Sequence, residues 1–476
     1  MQSYSRPLAG RVSLLIVLGL IGKEIRGLVV LALPLALAQV VQQGMQFVDT
    51  LMVGRLGGEQ LAAMALGATI LMFTVVFLQG VIFSVGPTVA QAYGAGDLED
   101  VGRTAKHGLW LALLLALPAM FLLYRAEYLL LAMGQNPDTA ALAGEYLQGA
   151  SWGILPLLLL VANRSFLEGI GDTRSILYLM IAGLAANVVL NEALIFGRWG
   201  FPRLEVAGAG YATAAVQLIM MVLSVAYVNW QQGRFGVYRG RFLPEPRRLW
   251  QLACLGAPIG LTLGFEAGLF SVTALLMGLV GELELASHQI AIQSSSMTFT
   301  IAVGLAVSAS VRVGQAVGRQ EHQRARIAGA VGIVMSALIM AGSASVFLLA
   351  PEAVIGIYID RSDPLNAGIV QTAALFLGIA ATFQIFDGIQ VSTAGVLRGY
   401  KDTSVPMVIS LVSYWLVGLG SGYLLAFHLG WGGRGLWTGL VLGLATAAIL
   451  LLWRFVWRSS GKRLIGGRMT LIGRRP

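Results

Sequence analysis

The sequence predicts an all-α polytopic membrane protein of twelve transmembrane helices, arranged as two pseudo-symmetric six-helix lobes. Three observations predict it. Of the 476 residues, 57% are hydrophobic and only 12% charged, and apolar runs of about 20 residues recur along the whole length, as membrane-crossing helices require. The basic residues sit in short loops between those runs rather than on one face of a soluble domain, so the formal net charge of +9 reads as membrane topology and not as a nucleic-acid surface. The chain also repeats itself. Leu167, Gly169, Asp172 and Thr173 recur as Leu397, Gly399, Asp402 and Thr403, a constant 230 residues later.

Taken in order, the apolar runs place spans at roughly 28–53, 61–93, 106–124, 140–166, 176–197, 206–229, 251–280, 285–317, 327–349, 366–397, 405–428 and 435–457. Prolines inside them, Pro34, Pro87, Pro156 and Pro258, each remove a backbone donor and predict local bends. Leu14 to Ile21 is apolar and follows Arg6 and Arg11, but it is too short for a span and no small-residue cleavage site follows. Residues 1–27 therefore read as a cytoplasmic or interfacial segment. The connector 231–250, with Arg234, Arg239, Arg241, Arg247, Arg248, Pro244 and Pro246, reads as a cytoplasmic linker between a lobe at 28–230 and a lobe at 251–457; a basic tail fills 458–476. The single cysteine, Cys254, excludes an internal disulfide.

An even number of spans puts both termini on one side. The loops on the opposite side hold only Arg55, Arg125, Arg198, Arg203, Arg361 and Arg434 of the 32 Lys and Arg, so the even loops and both termini are expected in the cytoplasm. A second ordered set of matches supports the duplication. At an offset of 224, Pro34 pairs with Pro258, Leu51 with Leu275, Gly54 with Gly278, Gly57 with Gly281, and Gln91 and Gly94 with Gln315 and Gly318. Six spans per half give both halves the same orientation, related by an axis along the membrane normal, with a central cleft between them.

These residues resemble the multidrug and toxic compound extrusion (MATE) family, in its bacterial NorM-type branch. The resemblance runs from about Ile25 to Val456. It rests on FVDTLMVGRLG (47–57), VAQAYGAGD (89–97), LEGIGDT (167–173), NVVLNEALIFG (187–197), GAGYATA (208–214), GFEAG (264–268), ASHQIAIQ (286–293), VGQAVG (313–318) and FDGIQVSTAGVLRGYKDT (386–403), in that order. It implies a V-shaped pair of six-helix bundles in a bacterial inner membrane. The implied activity is export of organic, often cationic and amphipathic, drugs and dyes against inward flow of Na+ or H+, with no cofactor and no nucleic-acid partner; we expect a monomer.

Carboxylates inside apolar runs carry whatever chemistry there is. An ionisable group at membrane depth costs a few to roughly 10 kcal/mol and by default marks an ion or substrate path. Asp49, Glu266 and Asp387 lie inside spans, and Glu192 near the end of one. The resemblance places a cation-binding aspartate at Asp49. Asn187 and Asn191, one helical turn apart and so on one face, are its expected companions, with Thr213 a fourth member; their oxygens suit Na+, and the aspartate alone suits a proton. Interhelical hydrogen bonding is the competing role for these amides. Glu266 lies ~24 Å along its span and Asp387 ~15 Å from the end of its own, with no Lys or Arg expected at that depth to neutralise them. The resemblance makes both functional acids of the C-terminal lobe and a second place for Na+. Phe383, one turn before Asp387, lacks the hydroxyl that some relatives place there.

Around the cleft, Gln42, Gln293, Phe299, Gln384 and Tyr414 are the expected substrate contacts. Two other functions share these features: an intramembrane enzyme using paired carboxylates as acid and base, and a flippase of lipid-linked precursors. A flippase for pyrophosphate lipids needs a basic cleft, whereas the cleft charges expected here are acidic. No G-x-x-x-x-G-K-[ST] motif occurs, so no P-loop ATPase within the chain drives transport.

Overall fold

The computed structural model describes residues 6–240 and 243–460, with side chains from residue 19 onward except Glu59. Arg241 of the linker and the tail beyond residue 460 lie outside the described residues. Among those described, eleven helices are long and apolar enough to cross a membrane, and a bent pair supplies a twelfth crossing. Span 1 is Arg6–Gly54, longer at its start than its apolar run because the helix continues upstream. Span 2 comprises Gly58–Ile82 and Val85–Gly94, and span 3 is Leu98–Tyr124. Span 4 comprises Pro137–Ser151 and Ile154–Ile170, bent by 47°. Spans 5 and 6 are Arg174–Phe196 and Glu205–Gln231. Spans 7 to 10 are Pro246–Val280, Glu282–Gly318, His322–Leu349 and Ala367–Gly399. Span 11 covers Ser404–His428 and span 12 Gly433–Ser459.

Two of the four expected proline bends are breaks in the helix. A proline ring clashes with the carbonyl four residues earlier. For Pro87 that residue is Phe83 and for Pro156 it is Trp152, and the helices of spans 2 and 4 are interrupted at those residues. Spans 1 and 7 run on through Pro34 and Pro258. Span 11 shows what sequence gave no sign of, two π-helical stretches at Val412–Leu419 and Leu424–His428. There Gly418 and Gly422 pack directly on Gly443 and Gly439 of span 12, bringing the two backbones into contact.

The repeated L-x-G-x-x-D-T motif is a helix stop joined to a clamp. In both copies the amide of the aspartate bonds back five residues, Asp172 to Leu167 and Asp402 to Leu397, each at 2.9 Å, closing the last helical turn. The residue before it is left-handed, Gly171 at φ +86° and Lys401 at φ +58°. Each aspartate side chain then grips the last span of its own lobe. Asp172 accepts from Tyr227 Oη (2.8 Å) and Gln232 Nε2 (3.0 Å), and Asp402 from Arg454 Nε (2.8 Å).

The lobes meet through equivalent surfaces. Span 2 packs on span 7 and span 8 on span 1; a methyl at Gly80 would lie 2.4 Å from Gly260 Cα, and one at its repeat partner Gly304 would lie 3.0 Å from Ala32 O. At the end nearer the linker the two glutamines of the repeat cross over. Gln91 Nε2 donates to Gly399 O (2.8 Å), and Gln315 Nε2 donates to Gly169 O (3.0 Å). Glu24 of span 1 is 1% exposed and accepts from both Arg312 and Arg324. Of the side-chain bonds joining the lobes among the described residues, all except Gln43 to Thr300 (2.8 Å) lie at this linker-side end. The cleft is therefore sealed on the linker side.

Candidate functional site

Near the far end of span 1, the expected N-terminal group is assembled. Asn187 Nδ2 and Asn191 Nδ2, both on the inward face of span 5, donate to the same oxygen, Asp49 Oδ1, at 2.8 and 2.6 Å. Both asparagines are buried, and their own carbonyl oxygens have no hydrogen-bond partner. The Thr213 hydroxyl makes no hydrogen bond to this group; it donates to Ala209 O at 2.9 Å, within its own helix. Chemically the group is a carboxylate neutralised in part by amide N–H groups, with two idle carbonyl oxygens at its edge. A half-turn of either amide would exchange a donor for an acceptor, giving a hard-oxygen cluster that repels itself unless a cation or proton sits between the oxygens. Among the described residues no three His, Cys, Asp or Glu side chains cluster as metal ligands, so any ion here depends on those amides.

A cavity of about 290 Å³ lies between the lobes, walled by spans 1, 2, 4, 5 and 6 on one side and 7, 8 and 10 on the other. Glu266, Gln42 and Phe299 are in its wall, as expected. Gln293, Gln384 and Tyr414 are not. Gln293 is exposed elsewhere on span 8. Gln384 is buried and accepts from Thr298 Oγ1 (2.9 Å), while Tyr414, 1% exposed, accepts from Gln390 Nε2 (2.6 Å). Both fall on the inner packing face of the C-terminal lobe, Gln384 against span 8 and Tyr414, in a π-helical turn of span 11, against span 10.

Asp387 sits behind the cavity wall at 4% exposure, one helical turn from the wall residue Gln390. Its Oδ1 has no hydrogen-bond partner. Glu266, on span 7, lines the wall itself, and Asp387 lies behind it on span 10. Charge in the cavity departs from the sequence expectation in two ways. Arg398, in the last turn of span 10, lines the same cavity wall as Glu266, so a cation does share the cavity with that acid. Arg164 and Glu168 also line it, so the cleft charges are mixed rather than acidic. Arg398 lies at the end of its apolar run, in the last turn of span 10, where the following Gly399 accepts from Gln91 of the other lobe. The signal was the repeat itself, since Glu168 and Arg398 are the matching variable positions of the two L-x-G-x-x-D-T copies.

A sequence profile of the MatE family matches residues 34–192 and again 258–424. The chain belongs to the MatE family. The two matches begin at Pro34 and Pro258, the paired prolines of the repeat, so each lobe is one copy of the MATE unit. Among its relatives, the chain is 41% identical over 445 residues to the probable multidrug resistance protein NorM of Pseudomonas putida, covering 93% of this chain and 96% of that one. It is 40% identical over 431 residues to the multidrug resistance protein NorM of Burkholderia vietnamiensis, covering 90% and 93%. In fold it resembles the outward-facing conformation of a multidrug resistance MATE family transporter of the MOP superfamily, with a TM-score of 0.84 at 21% identity over 94% of this chain and 99% of that one. MATE proteins are membrane transporters, which removes the intramembrane-enzyme alternative.

Proposed function

We propose that this MATE transporter is a secondary antiporter that exports organic, mainly cationic and amphipathic, compounds in exchange for Na+ or H+. The observation that carries the reading is Glu266. It is a carboxylate in the wall of the inter-lobe cavity, with no hydrogen-bond or ion-pair partner among the described residues, in a site where an incoming cation and a proton compete for the same oxygens. Asp387 behind it and Asp49 with its two asparagines are the other proposed coupling acids. The relatives' multidrug resistance names support a drug cargo. Two arginines in the cavity are matched by two glutamates, which does not favour a pyrophosphate-lipid flippase. The linker and both termini are assigned to the cytoplasm of a bacterial inner membrane, with the transporter acting as a monomer; the linker-side seal then describes an outward-facing state.

The test is reconstitution. Proteoliposomes loaded with a cationic dye are given an inward Na+ gradient and, separately, an inward proton gradient. One of them should accelerate dye efflux, and Asp49→Asn should abolish or reduce that acceleration. Efflux indifferent to both gradients would rule out antiport.

A further inference from the structure

We infer that a groove on the outer face of the N-terminal lobe binds an anionic phospholipid, holding an acyl chain between spans 3, 4 and 6 and the headgroup phosphate at Arg234, Arg239 and Lys106. The site is separate from the inter-lobe cavity and does not depend on what the transporter carries.

The groove has a volume of about 440 Å³. Span 3 contributes Trp110 and Leu113 to it, span 4 Leu155 and Leu159, and span 6 Met221 and Val225. All six are half-buried, and exposed apolar neighbours such as Leu114 and Val222 carry its edges onto the surface that meets the bilayer. Span 4 divides this groove from the cavity. Leu155 and Leu159 lie on one side of that helix, and Leu157, Leu160 and Val161 line the cavity on the other. A recess in a bilayer-facing wall is suited to a flexible hydrocarbon chain, because an unfilled one forfeits dispersion contacts along its whole lining.

The linker builds the headgroup end. After span 6 the chain turns at Gly233–Phe235 and is pinned to the lobe: Phe235 and Val237 are buried, and a methyl at Gly102 would lie 2.0 Å from Phe235 O. The Tyr238 ring forms part of the groove wall. Its Oη donates to Asn163 Oδ1 (2.7 Å), and Asn163 Nδ2 donates to Ser224 Oγ (2.9 Å); both partners are buried, so the linker is tied to spans 4 and 6. This docking places three cations beside the groove. Arg239 follows Tyr238 and lies over Gly233, where a Cβ would be 3.7 Å from its Cζ. Arg234 stacks on Phe235, its Cζ 4.8 Å from the ring centre. Lys106, one helical turn before Trp110 on span 3, donates to Arg239 O at 2.6 Å. Arg234 and Arg239 are exposed, and among the described residues neither has an ion-pair partner. Unpaired arginines are common at this end of the molecule, Arg247 and Arg319 among them; what distinguishes this set is a docked turn that holds it beside an apolar groove. Basic groups over an apolar slot complement a lipid that carries both a phosphate and a net negative charge, and a zwitterionic lipid with the same chains lacks the second property.

The test is native mass spectrometry of the purified full chain, titrated in detergent with dioleoyl phosphatidylglycerol, with dioleoyl phosphatidylcholine and with glycerol phosphate. Wild type should bind the first phosphatidylglycerol roughly tenfold more tightly than phosphatidylcholine and should not bind glycerol phosphate. Arg234→Gln combined with Arg239→Gln should reduce phosphatidylglycerol to the phosphatidylcholine level. The charge-matched pair Arg247→Gln with Arg319→Gln should leave the preference intact. Val225→Phe and, independently, Leu159→Trp fill the groove, and each should weaken both lipids roughly tenfold. The inference is overturned if wild type shows no preference between the lipids, or if glycerol phosphate alone binds, which would make this a free-phosphate site. It is equally overturned if the control pair lowers the preference as much as the linker pair does, or if either filled variant, eluting as folded protein, binds phosphatidylglycerol as wild type does.

Discussion

Gly318→Ala separates a gating role for the linker-side seal from a merely structural one. A methyl at Gly318 would lie 2.0 Å from Gln91 O, and its mirror at Gly94 would lie 2.1 Å from Gln315 O, both against backbone and below the 3.0 Å that real side chains respect. The two spans must part by about 1 Å to admit either methyl. That displacement stretches the crossed bonds from Gln91 to Gly399 and from Gln315 to Gly169, now 2.8 and 3.0 Å, out of effective range. At about 1 kcal/mol net for each bond, the sealed state loses about 2 kcal/mol. The ratio of linker-side open to sealed molecules should then rise roughly 30-fold. Alanine is otherwise a better helix former than glycine by up to ~1 kcal/mol, so the spans themselves are not weakened. We would place spin labels at Leu98→Cys and Gln323→Cys, both exposed, in a chain carrying Cys254→Ser, and measure their distance distribution in nanodiscs. The long-distance population should grow in both glycine variants and not in Gly44→Ala, where a methyl meets nothing within 4 Å. An unchanged distribution in Gly94→Ala and Gly318→Ala would refute the idea that the lobes part at this contact.

Three further outcomes follow from other parts of the molecule. Asp387→Asn and Glu266→Gln should insert normally yet fail to export cationic dyes at matched expression; wild-type rates would make both acids structural. Glu24→Gln strips the shared counter-ion from Arg312 and Arg324; Arg324 keeps Glu321 at 3.2 Å, but Arg312 is left partly buried and uncompensated, which should cost about 3 kcal/mol, visible as a lowered thermal midpoint. An unshifted midpoint would mean that the cluster adds nothing to lobe docking. For orientation, an impermeant thiol reagent on intact cells should label Leu365→Cys, which is 88% exposed, and not Arg239→Cys in the linker, again without Cys254; the reverse pattern inverts the topology.

The sequence by itself determined the membrane class, the twelve crossings, the duplication and the acids inside spans. Each of these is local: hydropathy is summed over one helix, and a repeat is read by sliding the chain along itself. It also determined that Asn187 and Asn191 share a face, because a helix fixes the angle between residues four apart. Whether that face met Asp49 was a matter of packing, and the tertiary structure decided it, as it decided that Thr213 turns back to its own helix. Distance along a span can be counted from sequence, but rotation about its axis and what lies beyond its end cannot. Gln384 and Tyr414 were thus expected at the cleft and are in the core, and Arg398, at the end of its helix, lines the same cavity as Glu266. The crossing of Gln91 and Gln315 has the same origin. Their equivalence is written in the repeat, but only the symmetric docking of two lobes brings each glutamine to the other lobe's glycine.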